Sequence, residues 1–314
     1  MSLLHRIGGN GGSGFNLDGT RTGGTLKKMW VWVGGWQIKG IRVWLTDGQS
    51  IECGQRRGNY SEFVFQSGEY FSDLSLWGNG AGTRLGAIKF KTNKSRTFFV
   101  KMTDWGLKTE YPISIGSGIC VGVSGKSGHD IDCLGFRFIN TIQSTILTNV
   151  DYPTFKMEKL NVSIEEIKSM TYHNDSTVNQ EYKTDTEKTI IETSSWTVTN
   201  SMENTFSIDV KAGIPGIVEV GTGYSIKEGS ETSRSLQSSV SRTEKLSFPV
   251  RVPAGKSVEV DITIGRATFN LPYTGVVRIT CYDGTVMHFQ TSGTYRGVTY
   301  TELKANVKER PIKI

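Results

Sequence analysis

The alternation of polar and apolar residues is strongest in residues 195–212. Odd-numbered positions there are small, hydroxylic or charged, whereas most even-numbered positions are apolar. Because side chains of a β-strand point alternately to opposite faces, this pattern predicts one long amphipathic strand. A turn signal, Gly-Ile-Pro-Gly, occupies residues 213–216, and a second alternating run covers residues 217–227. The pattern therefore predicts a long hairpin whose apolar tip lies at residues 211–219.

This hairpin has two interpretations. It fits a ribbon of a soluble β-protein, with its apolar face packed on a core. It also fits a membrane β-barrel, in which about 9–11 alternating residues cross the bilayer. About a third of residues 170–245 is Ser or Thr, and no charge separates Lys211 from Glu219, which favours the membrane interpretation. The residues predicted to enter the bilayer are the apolar ones of both strands and the tip: Val198, Phe206, Ile208, Val210, Ile214, Pro215, Ile217, Val218 and Val220.

The composition of the chain changes near residues 142–148. Before this point the predicted strands are short and rich in glycine and aromatic residues, whereas later strands are longer and rich in Ser and Thr. A length of 314 residues is sufficient for two domains. The 37 glycines, the 7 prolines and the many Thr, Val and aromatic residues predict an all-β fold. We therefore expect one β-domain at 1–142 and an elongated β-module at 148–314.

The hydropathy pattern contains no apolar run of about 18 residues, which predicts that no helix crosses a membrane. The N-terminal residues lack an apolar core of the length that a signal peptide has. We expect a soluble protein that is cytoplasmic or released without a signal peptide, and that acts at membranes.

The charged and metal-binding residues indicate neither a nucleic-acid partner nor a cofactor. The net charge of +6 is dispersed, and the histidines and cysteines are not spaced as metal ligands. The sequence GVSGKSG at 122–128 resembles a phosphate-binding loop, but Cys120 replaces the first glycine and no helical pattern follows. No nucleophile elbow is found. We therefore expect no metal, no cofactor and no catalytic activity.

Two glycine-rich loops are candidates for a binding site. They are IGGNGGSGFN at 7–16 and SGHDID at 127–132. Glycine allows the backbone to approach a ligand closely, and a carboxylate accepts hydrogen bonds from sugar hydroxyls. The alternative is a pair of ordinary glycine turns in which Asp132 accepts a hydrogen bond from a loop amide.

Both loops, together with EYFSDLSLWG and LGFRF, resemble the jacalin-related lectins over residues 3–141. The resemblance implies a β-prism of three Greek-key sheets and a site for mannose-type glycans. That site would consist of the amides of Gly12, His129 and Asp130 and the carboxylate of Asp132. Many members carry aromatic residues where this chain has His129 and Asp130.

The second half resembles the aerolysin-type pore-forming proteins of the epsilon-toxin branch. The matching segments are FSIDVKAGIPGIVEVGTGYSI and FPVRVPAGKSVEVDI. A lectin domain followed by such a module resembles the natterin-like fish proteins. The resemblance implies a toxin-like protein, a soluble monomer or dimer, that binds glycans, forms a ring-shaped homo-oligomer and inserts one hairpin per subunit into a membrane. The alternatives are a non-lytic lectin with a structural dimerisation stalk, and an enzyme that uses the β-prism as a carbohydrate-binding module.

Overall fold

The computed structural model describes residues 4–155 and 161–312. Apart from one 3-10 helix (Thr199–Asn204), the regular structure of these residues consists of β-strands. The all-β fold class is therefore confirmed. The chain divides into two compact units. The first comprises Met1–Thr148, Val198–Asp209 and Gly275–Ser292, and the second comprises Asn149–Thr197, Val210–Thr274 and Gly293–Ile314.

The described part of the first unit contains three four-stranded sheets, and the strand pairs within them are antiparallel. Their strands are β1 (Ile7–Gly8), β2 (Ser13–Asp18), β3 (Leu26–Val33), β4 (Ile38–Leu45), β5 (Ser50–Gly54), β6 (Asn59–Val64), β7 (Phe71–Gly78), β8 (Leu85–Thr92), β9 (Thr97–Lys101), β10 (Glu110–Pro112), β11 (Cys120–Ser127) and β12 (Ile131–Phe138). The sheet orders are β1-β12-β11-β2, β10-β7-β8-β9 and β5-β4-β3-β6. This arrangement confirms the expected β-prism.

One hydrophobic core lies inside the prism and supports its loops. It contains residues from all three sheets, such as Val31, Leu76 and Leu134, which are completely buried. Phe71 and Phe90 pack with their ring centroids 4.8 Å apart. Burial of one such side chain contributes about 1.5–3 kcal/mol, so the scaffold beneath the loops is rigid.

The later strands are longer and belong to a nine-stranded sheet. They are β13 (Ile142–Asp151), β14 (Val162–Asn174), β15 (Gln180–Trp196), β16 (Asp209–Val220), β17 (Gly223–Ser235), β18 (Gln237–Val252), β19 (Lys256–Cys281), β20 (Val286–Tyr300) and β21 (Lys304–Pro311). The order is β17-β16-β13-β19-β20-β15-β18, and β14 and β21 both pair with β19. In the second unit, a small core of alternate strand residues consists of Val250, Val252, Val258, Val260 and Ile262.

A long part of the second unit contributes little to this core, and two of its partly buried residues, Leu246 and Phe248, pack against it. None of residues 216–249, which we call the exposed ribbon, is completely buried. The ribbon includes β17 and most of β18, and β18 pairs antiparallel with β15 from Gln180↔Val252 to Ser195↔Gln237. The ribbon is therefore held mainly by backbone hydrogen bonds.

Residues 195–212 do not form the single strand that the alternation predicts. Between β15 and β16 the chain forms the 3-10 helix instead. Val198 precedes this helix, Met202 lies within it and Phe206 follows its C-cap. All three are buried, and the amide of Phe206 donates to the carbonyl of Met202 at 2.7 Å. The prediction was wrong because alternation alone does not fix the backbone conformation, and tertiary packing buries these apolar side chains in another one.

The predicted hairpin tip is also wrong. Residues 213–216 lie inside β16, and the turn to β17 is at Gly221, whose φ is +61°. A Cβ on Gly213 of β16 would lie 2.7 Å from the carbonyl oxygen of Gly229 in β17. Glycine is needed there because two strands approach closely, so it does not mark a turn.

The residues predicted to enter the bilayer fall into both units. Those in the first unit are buried: Val198, Phe206 and Ile208. Two residues of β16 are buried in the second unit: Val210 and Pro215. Two are half-buried: Ile214 and Ile217. Two are exposed: Val218 and Val220, at 41% and 58%.

Candidate carbohydrate-binding site

The hairpin of β11 and β12 carries three of the four predicted site residues. Its loop closes through the amide of Gly128, which donates to the carbonyl of Asp130 at 3.1 Å. The pairing register shifts between Lys126 and Ser127, where β12 contains one extra residue, Asp132. A β-bulge of this kind changes the direction of a side chain relative to the sheet. The bulge therefore positions the Asp132 carboxylate beside the loop.

The N-terminal glycine loop lies against the same carboxylate. The amide of Gly9 donates to the Asp132 carbonyl at 2.7 Å. A Cβ on Gly11 would lie 2.7 Å from Asp132 Oδ1, and one on Gly12 would overlap Oδ2. Gly12 also has a φ of +69°, which favours glycine. The structure thus brings Gly12 and Asp132 together, and the space at position 12 admits only glycine.

The other two predicted residues have different environments. His129 is exposed at the end of the loop. The Asp130 carboxylate accepts a hydrogen bond from Gln37 Nε2 at 2.7 Å and forms an ion pair with Lys39 Nζ at 3.0 Å. The side chain of Asp130 thus holds the loop to the start of β4, while its amide remains the predicted ligand group.

Arg84 is a site residue that the sequence did not indicate. Its Nη1 lies 2.8 Å from Asp132 Oδ1 and also donates to the carbonyl of Thr83 at 2.8 Å. The Asp132 side chain is only 3% exposed, so this guanidinium compensates a buried charge. Oδ2 is the oxygen that faces Gly12. No local pattern could reveal Arg84, because its loop between β7 and β8 is far from Asp132 in the sequence.

An exposed pair of tryptophans was also missed. Trp36 and Trp105 are 59% and 50% exposed, and their ring centroids are 6.3 Å apart. Their loops are joined by the amide of Asp104, which donates to the Gly35 carbonyl at 2.8 Å. Trp36 precedes Gln37, which binds Asp130. Large aromatic rings with a free face are typical of ligand sites, so this pair can extend the site.

The remaining titratable groups give no sign of other chemistry in the described residues. No group of three His, Cys, Asp or Glu side chains there could hold a metal ion. The four cysteines are free and buried, and burial raises the pKa of Cys53 to about 11 and that of Cys120 to about 12. The thiols of Cys53 and Cys120 stay protonated near neutral pH and are poor nucleophiles. No helix in residues 4–155 and 161–312 is long and apolar enough to span a bilayer.

Comparisons with known proteins agree with the fold of the first unit. A family model described as the jacalin-like lectin domain matches residues 4–137. The crystal structure of a lamprey immune protein is 52% identical in sequence, with 98% of each chain covered and a TM-score of 0.95. The chain belongs to the family of this lamprey protein. In this member of the lamprey immune protein family, the jacalin-like lectin domain accounts for the three sheets of the prism.

Plant lectins are similar to a smaller part of this family member. Malaysian banana lectin is 24% identical, and the match covers 44% of this chain and 96% of that chain with a TM-score of 0.36. A mannose-binding lectin from champedak is 23% identical, and the match covers 43% of this chain and 94% of that chain with a TM-score of 0.36. A comparison with curated proteins gives no match.

Proposed function

We propose that this protein is a lectin whose first domain binds mannose-type glycans at the Asp132 site. One observation carries this proposal: a buried carboxylate, displaced by a β-bulge, faces a loop of bare glycine backbone. Asp132 accepts hydrogen bonds from two neighbouring hydroxyls, and the amides of Gly12, His129 and Asp130 donate to sugar oxygens. The site is built for binding, and we assign no catalytic role to it.

Arg84 has a specific part in this binding. It takes one lone pair of Asp132 Oδ1, and it holds the carboxylate in one orientation. A carboxylate has about four acceptor positions, so the remaining ones stay free for ligand hydroxyls. The lamprey relative is named an immune protein. By analogy, we propose that this chain recognises glycans on cell surfaces.

The test replaces Asp132 in the full-length chain. Asp132→Asn should weaken binding to mannotriose about ten- to hundredfold, because hydrogen bonds to charged groups contribute about 1.5–3 kcal/mol each. The matched control is Asp73→Asn, an exposed carboxylate on β7, which should bind normally. Calorimetry measures the affinities, and thermal unfolding shows that the variants are folded. Normal binding by folded Asp132→Asn would overturn the site assignment.

A second candidate function is pore formation by the second unit. The exposed ribbon supports it, because none of its 34 residues has a completely buried side chain, so moving most of it uncovers little of the core. The sequence of this unit also resembles the aerolysin-type modules of natterin-like proteins. We propose that glycan binding concentrates the protein on a membrane, where it oligomerises and inserts β16 and β17. Joining hairpins from several subunits would satisfy their backbone hydrogen bonds in lipid.

The test of this function uses exposed positions, so that folding is preserved. Val218→Arg places a charge on the apolar face of β16, three residues before the turn at Gly221, where a lipid-facing arginine costs up to about 2–4 kcal/mol per subunit as it approaches the bilayer centre. Dye release from liposomes carrying mannosylated lipid should then be lost. Glu219→Arg, an exposed position on the opposite face of β16, should keep it. Equal dye release by both variants, or none by the unmodified protein, favours the non-lytic lectin with a dimerisation stalk.

A further inference from the structure

The first domain contains a cavity of about 380 Å³ that is separate from the Asp132 carboxylate. It lies where β1, the loop after β7 and the start of β10 come together. Side chains of Arg6, Lys108 and Tyr111 form its walls, together with the backbone of several glycines. A cavity of this volume is within the range of small-ligand sites.

The cavity is positively charged. No carboxylate is among its lining residues, and in the described part of the chain neither Arg6 nor Lys108 forms an ion pair with an acid. The neighbouring site differs, because Lys39 and Arg84 are each paired with an aspartate there. Arg6 uses Nη2 to donate to Ser124 Oγ at 2.6 Å. That bond fixes the guanidinium and leaves other N–H groups for a ligand.

The walls are preformed. Asn79 is 5% exposed, and its Oδ1 accepts hydrogen bonds from the amides of Ala81, Thr83 and Arg84 at 3.2–3.3 Å, which holds the loop after β7 in shape. Gly80, with a φ of +80°, faces the Lys108 side chain, and a Cβ there would lie 3.2 Å from its Cδ. The positive φ favours glycine at this position, and the Lys108 side chain lies against it.

Two features indicate that a ligand of this positively charged cavity is a sugar that carries an anionic group. Tyr111 is 43% exposed and offers an aromatic face beside the two cations. Gly8 lines the cavity, and a Cβ on it would overlap the carbonyl oxygen of Asp132. The cavity therefore begins next to the backbone of the Asp132 bulge.

We propose that this cavity binds the anionic group of an acidic sugar residue, a sulfate ester or a carboxylate, through Arg6 and Lys108. The guanidinium and ammonium donate charge-assisted hydrogen bonds to the anion, and the sugar ring packs on Tyr111. This specificity is additional to mannose binding, and it does not depend on the Asp132 carboxylate.

The experiment uses the full-length protein and matched ligand pairs in calorimetry. The pairs are galactose 6-sulfate with galactose, and glucuronic acid with glucose. We expect the acidic member of at least one pair to bind about tenfold or more tightly than its neutral parent, with affinity that decreases as salt increases. The ligand pair with the larger difference in affinity shows whether sulfate or carboxylate is the preferred group.

Three variants locate the binding. Lys108→Gln, which replaces an exposed side chain and preserves the fold, should remove the preference for the acidic sugar. Arg6→Gln should do the same. Lys91→Gln is the charge-matched control, because Lys91 is exposed on β8 outside the cavity. Asp132→Asn should keep acidic-sugar binding while Lys108→Gln keeps mannotriose binding, so failure of one proposal is distinguishable from failure of the other.

Other results would overturn the proposal. Equal affinity for the acidic and neutral sugars excludes an anion site in the cavity. An equal loss in Lys91→Gln and Lys108→Gln would show that net charge alone attracts the ligand. Binding to phosphatidylserine vesicles that requires Lys108, without preference for acidic sugars, would make the cavity a lipid headgroup site instead.

Discussion

Gly12 and Asp132 depend on each other, because the glycine has no side chain where the carboxylate lies. The loops that contain them were identified from the sequence, since a glycine-rich loop and a G-x-x-x-D segment are local patterns. Arg84 could not be predicted in this way. Its contact with Asp132 exists only because two sheets of the prism bring distant loops together, and a single sequence does not encode that pairing locally.

Gly12→Ala should disrupt the site. The new Cβ would overlap Asp132 Oδ2, and alanine would be strained at a φ of +69°. We expect mannotriose binding to decrease at least tenfold and the melting temperature to fall. Gly14→Ala is the matched control, because a Cβ there meets nothing within 4 Å. If both variants bind normally in calorimetry, the close approach of loop and carboxylate has no role in binding.

Trp36 should contribute to binding of oligosaccharides more than of single sugars, because it lies beyond the residues that hold the Asp130 loop. Trp36→Ala removes an aromatic contact worth about 0.5–1.5 kcal/mol. We expect affinity for mannotriose to fall about two- to tenfold and affinity for methyl mannoside to stay the same. Tyr282→Ala, which removes another exposed aromatic residue, is the control. An equal effect on both ligands would argue against an extended site.

At the scale of elements, alternation identified strands correctly where each strand packs on a core. It failed in residues 195–212, where a 3-10 helix interrupts the strand and Val198, Met202 and Phe206 are buried around it. The competing conformations share the same apolar positions, so tertiary packing decides between them. The glycines of β16 were misread for a related reason, because turns and close strand contacts both require glycine.

Met202 should be the residue on which the 3-10 helix depends most. It is 2% exposed, and its carbonyl accepts hydrogen bonds from the amides of Thr205 and Phe206. Truncation of a buried methionine costs about 2–5 kcal/mol, so Met202→Ala should lower the urea midpoint clearly. Glu203→Ala changes the exposed neighbour and should have little effect. Similar midpoints for both variants would show that the segment is not firmly packed.

At the scale of the whole molecule, the buried cysteines report on the integrity of the fold. A thiol with a pKa of about 11, such as Cys53, is ionised in roughly one molecule in a thousand at pH 8, whereas an ordinary thiol is roughly a hundred times more ionised. We expect iodoacetamide to modify the folded protein very slowly at pH 8 and to modify all four cysteines rapidly in urea. Mass spectrometry measures both rates. Rapid modification of Cys53 or Cys120 without urea would mean that the prism opens readily.

The exposed ribbon has a consequence for how this protein can vary. A substitution in a packed core is constrained by volume, but residues 216–249 have no completely buried side chain to conserve. Most exchanges between polar residues there should leave the melting temperature unchanged. If a saturation library selected for activity rejects substitutions that a library selected for folding accepts, the function of the ribbon, and not its stability, constrains those positions. In the ribbon, tolerance to mutation therefore separates residues required for function from residues required for folding.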